Sequence, residues 1–239
     1  MKYLPADSYK MQDHLNSISN WTDVNLMKIN EAKCNYMVFT RTKEDFSTRL
    51  SVNNVQLEKI SVTQLLGVWI SEDMSWDKNC KEMCKKAYAR LSMITKLKYV
   101  GVNIDDLLDI YKLFIRSVVE YCSVSFHSSL TQQQSDKIEK IQKTSLKVIF
   151  SEAYTNYNTA LSLSGLQTLS ERRLKRCLDF SIKCLNHPKN RKMFPLNPAY
   201  NERVRSCEPF AVNFAGTKTY LKSAIPFCQR LLNKQFRKS

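Results

Sequence analysis

Two adjacent carboxylates, Asp105 and Asp106, sit between the apolar residues Ile104 and Leu107, the kind of pair that can hold divalent metal ions for phosphoryl transfer. The residues that follow decide against that chemistry. Leu108, Ile110, Tyr111 and Phe114 keep a helical period, and acidic residues in a first helical turn are explained by the positive end of the helix dipole. The three histidines, His14, His127 and His187, form no recognisable nucleophilic arrangement with serine, cysteine or aspartate, so a hydrolase is not supported. Cys80 and Cys84 lie one helical turn apart, but no second close pair of Cys or His completes a tetrahedral metal set. Cys184 and His187 likewise lack two further ligands at suitable spacing. No catalytic residue, metal ligand or resident cofactor is expected.

What the sequence does offer is cationic. The formal charge of +15 and a pI near 9.5 draw anionic partners, because phosphate contacts release condensed counterions. From Leu169 to Ser239, sixteen lysines and arginines face four carboxylates, so this stretch carries +12 of the total. Arg172, Arg173, Lys175 and Arg176 form its densest run, and Tyr200, Phe210, Phe214 and Tyr220 are near enough in sequence to stack on unpaired bases. These four cations are the candidate nucleic-acid-binding residues. A charge run on a helix is also commonly just its solvated face. No stretch approaches the roughly 20 apolar residues of a membrane span, and the opening residues lack a signal-peptide core. Cysteines set in helical apolar stripes read as reduced thiols, which implies an intracellular protein, cytoplasmic or nuclear.

The elements that must position these residues are mostly helical: the fold class is α+β, mostly α. Met11, Leu15, Ile18 and Trp21 recur at helical spacing. Cys34 to Phe39 predicts a short strand, Leu50 to Leu57 a hairpin turning at Asn53-Asn54, and Val62 to Ile70 a strand containing Gly67. Helices then follow from Cys80 to Gly101, from Ile104 to Val119 and from about Gln132 to Phe150. After Gly165 comes a helix with Leu174, Cys177, Leu178 and Leu185 inward and its arginines outward. The proline-containing remainder predicts extended chain until a short helix near the end.

The run from Trp21 through Asn25, Asn30 and Lys33 to Phe39 resembles motif D of the reverse transcriptases of non-LTR, LINE-type retrotransposons. Leu65-Leu66-Gly67-Val68-Trp69-Ile70, followed by Met74-Ser75-Trp76, resembles their motif E, or primer grip. Leu107 to Tyr121 is similar to the thumb helix, and Thr219 to Pro226 with Arg230 to Asn233 is similar to the family's tail. The four segments stand in the family's order.

The resemblance implies residues 1–72 as the edge of a polymerase palm, with small strands. Residues 73–165 would be a helical, thumb-like bundle, and 166–239 a basic, partly irregular C-terminal region. It assigns Trp21, Asn30 and Lys33 to a motif D remnant and Leu66, Gly67 and Val68 to a primer grip. An intact parent polymerase would use Mg²⁺ held by palm aspartates, and the Asp-Asp motif of that palm is absent from these residues. The expected partner is RNA or an RNA/DNA primer-template, with no membrane and no small-molecule substrate. The expected activity is nucleic-acid gripping without polymerisation.

Two alternatives compete. Residues 60 to 120 also resemble a region named after the N-terminus of AlkB-type homologues. The iron dioxygenase chemistry of such proteins needs a His-x-Asp pair, whereas His14, His127 and His187 are followed by Leu-Asn, Ser-Ser and Pro-Lys. The other is a helical interaction protein that docks an acidic partner through its basic tail.

Overall fold

Apolar residues spaced by three and four from Met11 fold as α1 (Ala6–Val24) in a computed structural model that describes residues 6–39, 49–200 and 208–236. Glu202 and Cys207 lie outside the described residues. After a 3₁₀ turn at Glu31–Lys33 come β1 (Asn35–Tyr36), β2 (Ser51–Val52), β3 (Val55–Gln56), β4 (Glu58–Lys59), β5 (Val62–Leu65) and β6 (Val68–Ser71). β2 and β3 pair antiparallel around Asn53 and Asn54, both at positive φ as expected for this turn, and β1 pairs parallel with β4. The Gln12 side chain both donates to Ser51 O (2.8 Å) and accepts from Ser51 N (2.9 Å), fastening α1 to the hairpin as a strand edge would. A small core of Leu50, Val52 and Leu57 gathers Leu15, Ile29, Cys34 and Tyr36, while Met11, Ile18 and Trp21 stay exposed.

The single strand expected over Val62 to Ile70 is instead two strands of a tight hairpin, with Leu65 opposite Val68. Gly67 is a turn residue, not the interior of one strand. Leu66 and Gly67 both take positive φ (48° and 85°), which a two-residue turn of the primed kind demands. Glycine meets that demand freely; leucine does so at a cost of about 1–2 kcal/mol.

The chain divides into two units between Lys78 and Asn79. The second contains α2 (Asp77–Tyr99, which begins at the boundary), α3 (Ile104–Ile110), a π-helical segment at Tyr111–Arg116, α4 (Ser117–Glu120), α5 (Ser123–Phe126) and α6 (Gln132–Phe150). It continues with α7 (Tyr157–Ser164), α8 (Leu169–Leu185), α9 (Lys218–Leu221) and α10 (Ala224–Phe236). Asn103 caps α3, its side chain accepting from Asp106 N at 2.9 Å, so Asp105-Asp106 opens a helix as the sequence suggests. A reciprocal capping box of Thr131 and Gln134 starts α6, whose Ile138, Ile141, Leu146 and Ile149 are fully buried.

Gly165 does not lead into α8 but closes α7, an element the sequence pattern did not reveal. At φ 63° it lets Leu166 N reach back to Leu161 O (3.0 Å). The helix after it shares its core with the helices before it. α8 packs on α5, α6 and α10, so residues 79–239 form one unit.

Candidate nucleic-acid interface

α8 is fixed at its start by two devices. Thr168 and Glu171 form a capping box, and the Glu139 carboxylate of α6 accepts from Leu169 N (3.1 Å) and Ser170 N (3.2 Å). Tyr157 donates its hydroxyl to the same Glu139. Gln142 extends this group by accepting from Tyr111 OH (2.6 Å) and donating to Tyr157 OH (2.8 Å) and Gln167 O (3.0 Å). Burial pushes the Tyr111 phenol far above its usual range, so it remains a hydroxyl donor.

Packed on α5, α6 and α10, α8 turns Leu169, Arg173, Cys177, Ser181 and Cys184 inward. The expectation that Leu174 lies inside and all the arginines outside is therefore corrected. Leu174 is 41% exposed and Arg173 is fully buried. Its guanidinium donates to Ser135 Oγ at 2.9 Å, while Nε and Nη1 have no hydrogen-bond partner. Burial depresses its affinity for the proton, and Glu139 acts in the opposite direction.

Arg172 and Arg176, one position round the helix, converge on Glu120 at the end of α4. The Glu120 side chain is only 2% exposed. Arg172 grips it with two donors, Nε to Oε1 and Nη2 to Oε2 (3.0 Å), in the forked geometry that suits a carboxylate. Arg176 Nη2 adds a third bond at 2.9 Å, and Arg116 Nε stands at 4.0 Å. Three guanidiniums against one carboxylate leave a surplus of two positive charges. Burial lowers the proton affinity of Arg116, and repulsion from Arg172 adds to it; Glu120 raises that of Arg172 through their hydrogen bond.

Neither Glu120 nor Arg116 was singled out from the sequence, although both fall in the segment read as a thumb helix. A signal existed. Ile115 and Val119 mark the buried stripe and Glu120 adjoins it, and a carboxylate on an apolar stripe requires a cation to be buried with it. Lys175 is exposed on the far side of α8 and takes no part in the clamp. Of the aromatics considered for base stacking, Phe210 is buried in a core with Cys177, Cys184, Phe194, Cys228 and Leu232, and meets Phe236 edge to face at 5.4 Å. That expectation is corrected for Phe210. Phe214, Tyr200 and Tyr220 remain exposed.

In the first unit, Asn30 and Lys33 bracket one turn, Lys33 N donating to Asn30 O at 3.1 Å, and both side chains are exposed. Trp21 lies near the end of α1, 59% exposed. Leu66 and Gly67 form the tip of the β5–β6 hairpin, with Leu66 84% exposed and Val68 buried behind it. Among the described residues no group of three or more His, Cys, Asp or Glu could hold a metal ion. No described helix is long and apolar enough to cross a membrane.

No protein-family model, curated protein or solved structure matches the chain.

Proposed function

We propose that this chain is the palm-edge, thumb and tail portion of a non-LTR retrotransposon reverse transcriptase, and that these 239 residues hold RNA or an RNA/DNA primer-template without polymerising. The supporting observation is the arginine group at Glu120. Arg172 and Arg176 come from α8 and Arg116 from the end of the π-helical segment, so two surplus charges meet at a partly exposed place. A phosphodiester backbone is the partner that this surplus positive charge, held in place by Glu120, suits. Lys175 and the other tail cations supply the longer-range attraction.

The test is fluorescence anisotropy with a single-stranded RNA and an RNA/DNA primer-template over a range of KCl, alongside primer extension with Mg²⁺. The reading expects affinity that falls linearly with salt on logarithmic axes, with Arg116→Ala reducing the slope by about one. No binding at low salt would remove the gripping role. Nucleotide incorporation by these residues alone would remove the non-polymerising one.

A second reading, a helical interaction module, draws support from Arg173, whose charge is spent inside the bundle. Tight binding to an acidic protein, with little affinity for RNA even at low salt, would favour it.

A further inference from the structure

The helical stretch that runs from α3 through the π-helical segment to α4 leaves one face uncovered. Leu113, Phe114 and Tyr121 are 68%, 49% and 55% exposed there, and Ser117 is exposed between them. Successive steps of one, three and four residues keep these four on one side of the helix, opposite the fully buried Ile115 and Val119. Each aromatic residue has a guanidinium on the backbone beside it. Arg90 of α2, itself exposed, donates Nη1 to Phe114 O at 2.6 Å. Arg176 Nη1 donates to Glu120 O at 3.4 Å, the carbonyl of the peptide that leads into Tyr121. Arg116 and Arg172 stand at the same carboxylate. Between Ile110 and Leu130 the only acidic residue is Glu120, which is buried and already engaged. The uncovered face is thus aromatic and cationic, with no carboxylate of its own.

From this pairing of rings with guanidiniums we propose that the face is a subsite for an unpaired nucleic-acid strand, with bases stacked on Phe114 and Tyr121 and phosphates on the arginines beside them. Seven residues set the two backbone positions about 10 Å apart along the helix, so each ring takes a base of its own. Resting on the nucleic-acid grip read above, this face narrows the partner to a single strand. A closed duplex keeps its bases stacked on one another and offers the rings only its ends. A wholly apolar protein surface laid here would bury guanidiniums without partners. A nucleotide brings an anion and a flat π-face together, which is the combination that the arginines and rings present in complement.

The experiment irradiates the full chain bound to a single-stranded RNA carrying 5-iodouracil and maps the cross-linked residues by tandem mass spectrometry. Adducts on Phe114 and Tyr121 are expected, and this measurement needs no variant. In fluorescence anisotropy the single strand is expected to bind more tightly than its blunt duplex. Phe114→Ala and Tyr121→Ala should each weaken single-strand binding about tenfold while keeping the salt slope, because a ring is lost and no charge. Tyr121→Phe, which keeps the ring, should bind as the unaltered chain does. Circular dichroism verifies that each variant is folded. Cross-links confined to other residues, equal affinity for strand and duplex, or alanine variants that bind unchanged would overturn the subsite and leave the grip standing. Absence of binding to either form at low salt would overturn both.

Discussion

Glu120 and Arg172 are fifty-two residues apart in sequence, yet the Arg172 guanidinium lies along the Glu120 carboxylate with two parallel hydrogen bonds. The two members of this pair differ in what their loss would leave behind. Without Arg172, a carboxylate that is 2% exposed keeps one hydrogen-bonded guanidinium, Arg176, with Arg116 farther off at 4.0 Å; without Glu120, guanidiniums 26% and 46% exposed can turn to water. Arg172→Met is therefore expected to cost about 3 kcal/mol and Glu120→Gln about half that. Urea unfolding followed by far-ultraviolet circular dichroism measures both, and equal costs would contradict the asymmetry.

Arg173 carries the opposite expectation. Its charge is desolvated and two of its donors are unpaired, so the side chain contributes volume rather than a net electrostatic gain. Arg173→Met should leave stability unchanged or raise it by about 1 kcal/mol in the same assay. A loss beyond about 2 kcal/mol would show that the buried cation is held by interactions stronger than its single bond to Ser135.

His127 gives the second unit an acid-sensitive element. Burial, reinforced by repulsion from Arg173, lowers its pKa from 6.5 to about 4, and its ring packs edge-on against Phe227 at 5.6 Å. The unfolded chain takes up a proton near pH 6.5 that the folded chain refuses until about pH 4. The contribution is complete above pH 6.5, declines as the pH falls through this window and is flat below it. In urea titrations across that range, His127→Phe should lessen the decline, and an unaltered slope would exclude this residue as its source.

Leu66 is the point where the first unit is least at ease. A leucine at φ 48° occupies a turn position that asparagine takes readily. Leu66→Asn is expected to stabilise the hairpin by about 0.5–1 kcal/mol. Trp21, Trp69 and Trp76 all precede residue 79, so tryptophan fluorescence reports this unit alone. An unchanged or lowered midpoint would mean that leucine gains more from its surroundings than its backbone loses.

The starts of α3 near Ile104 and of α6 near Gln132 were legible because helical periodicity is local. The Asn53-Asn54 turn was readable for the same reason. The caps that set the two helices, Asn103 and the Thr131–Gln134 box, emerged only with the structure. What else escaped was set at long range. Arg173 sits inward because it shares the stripe of Leu169, Cys177, Ser181 and Cys184 in a helix that packs on α5, α6 and α10, and nothing within α8 marks an arginine as interior rather than a leucine one step away. Composition suggested a positive surface on α8 but not that Glu120 would draw two of its cations together. Gly67 misled because a glycine among β-branched and aromatic neighbours is tolerated within a strand as well as in a turn.

The π-helical segment at Tyr111–Arg116 has a bearing on how this chain tolerates change. Its i→i+5 bonds accommodate more chain per turn than the α-helices on either side, and each residue of an α-helix swings the next by about 100°. Deleting one residue between 111 and 116 would therefore let α3 and α4 merge into a regular helix with Glu120 kept near its present bearing on Arg172 and Arg176. The same deletion in a regular helix such as α6 would turn everything after it by that angle. The wide turn is slack in a rope: one codon can be lost from it and the arginines still close on their carboxylate.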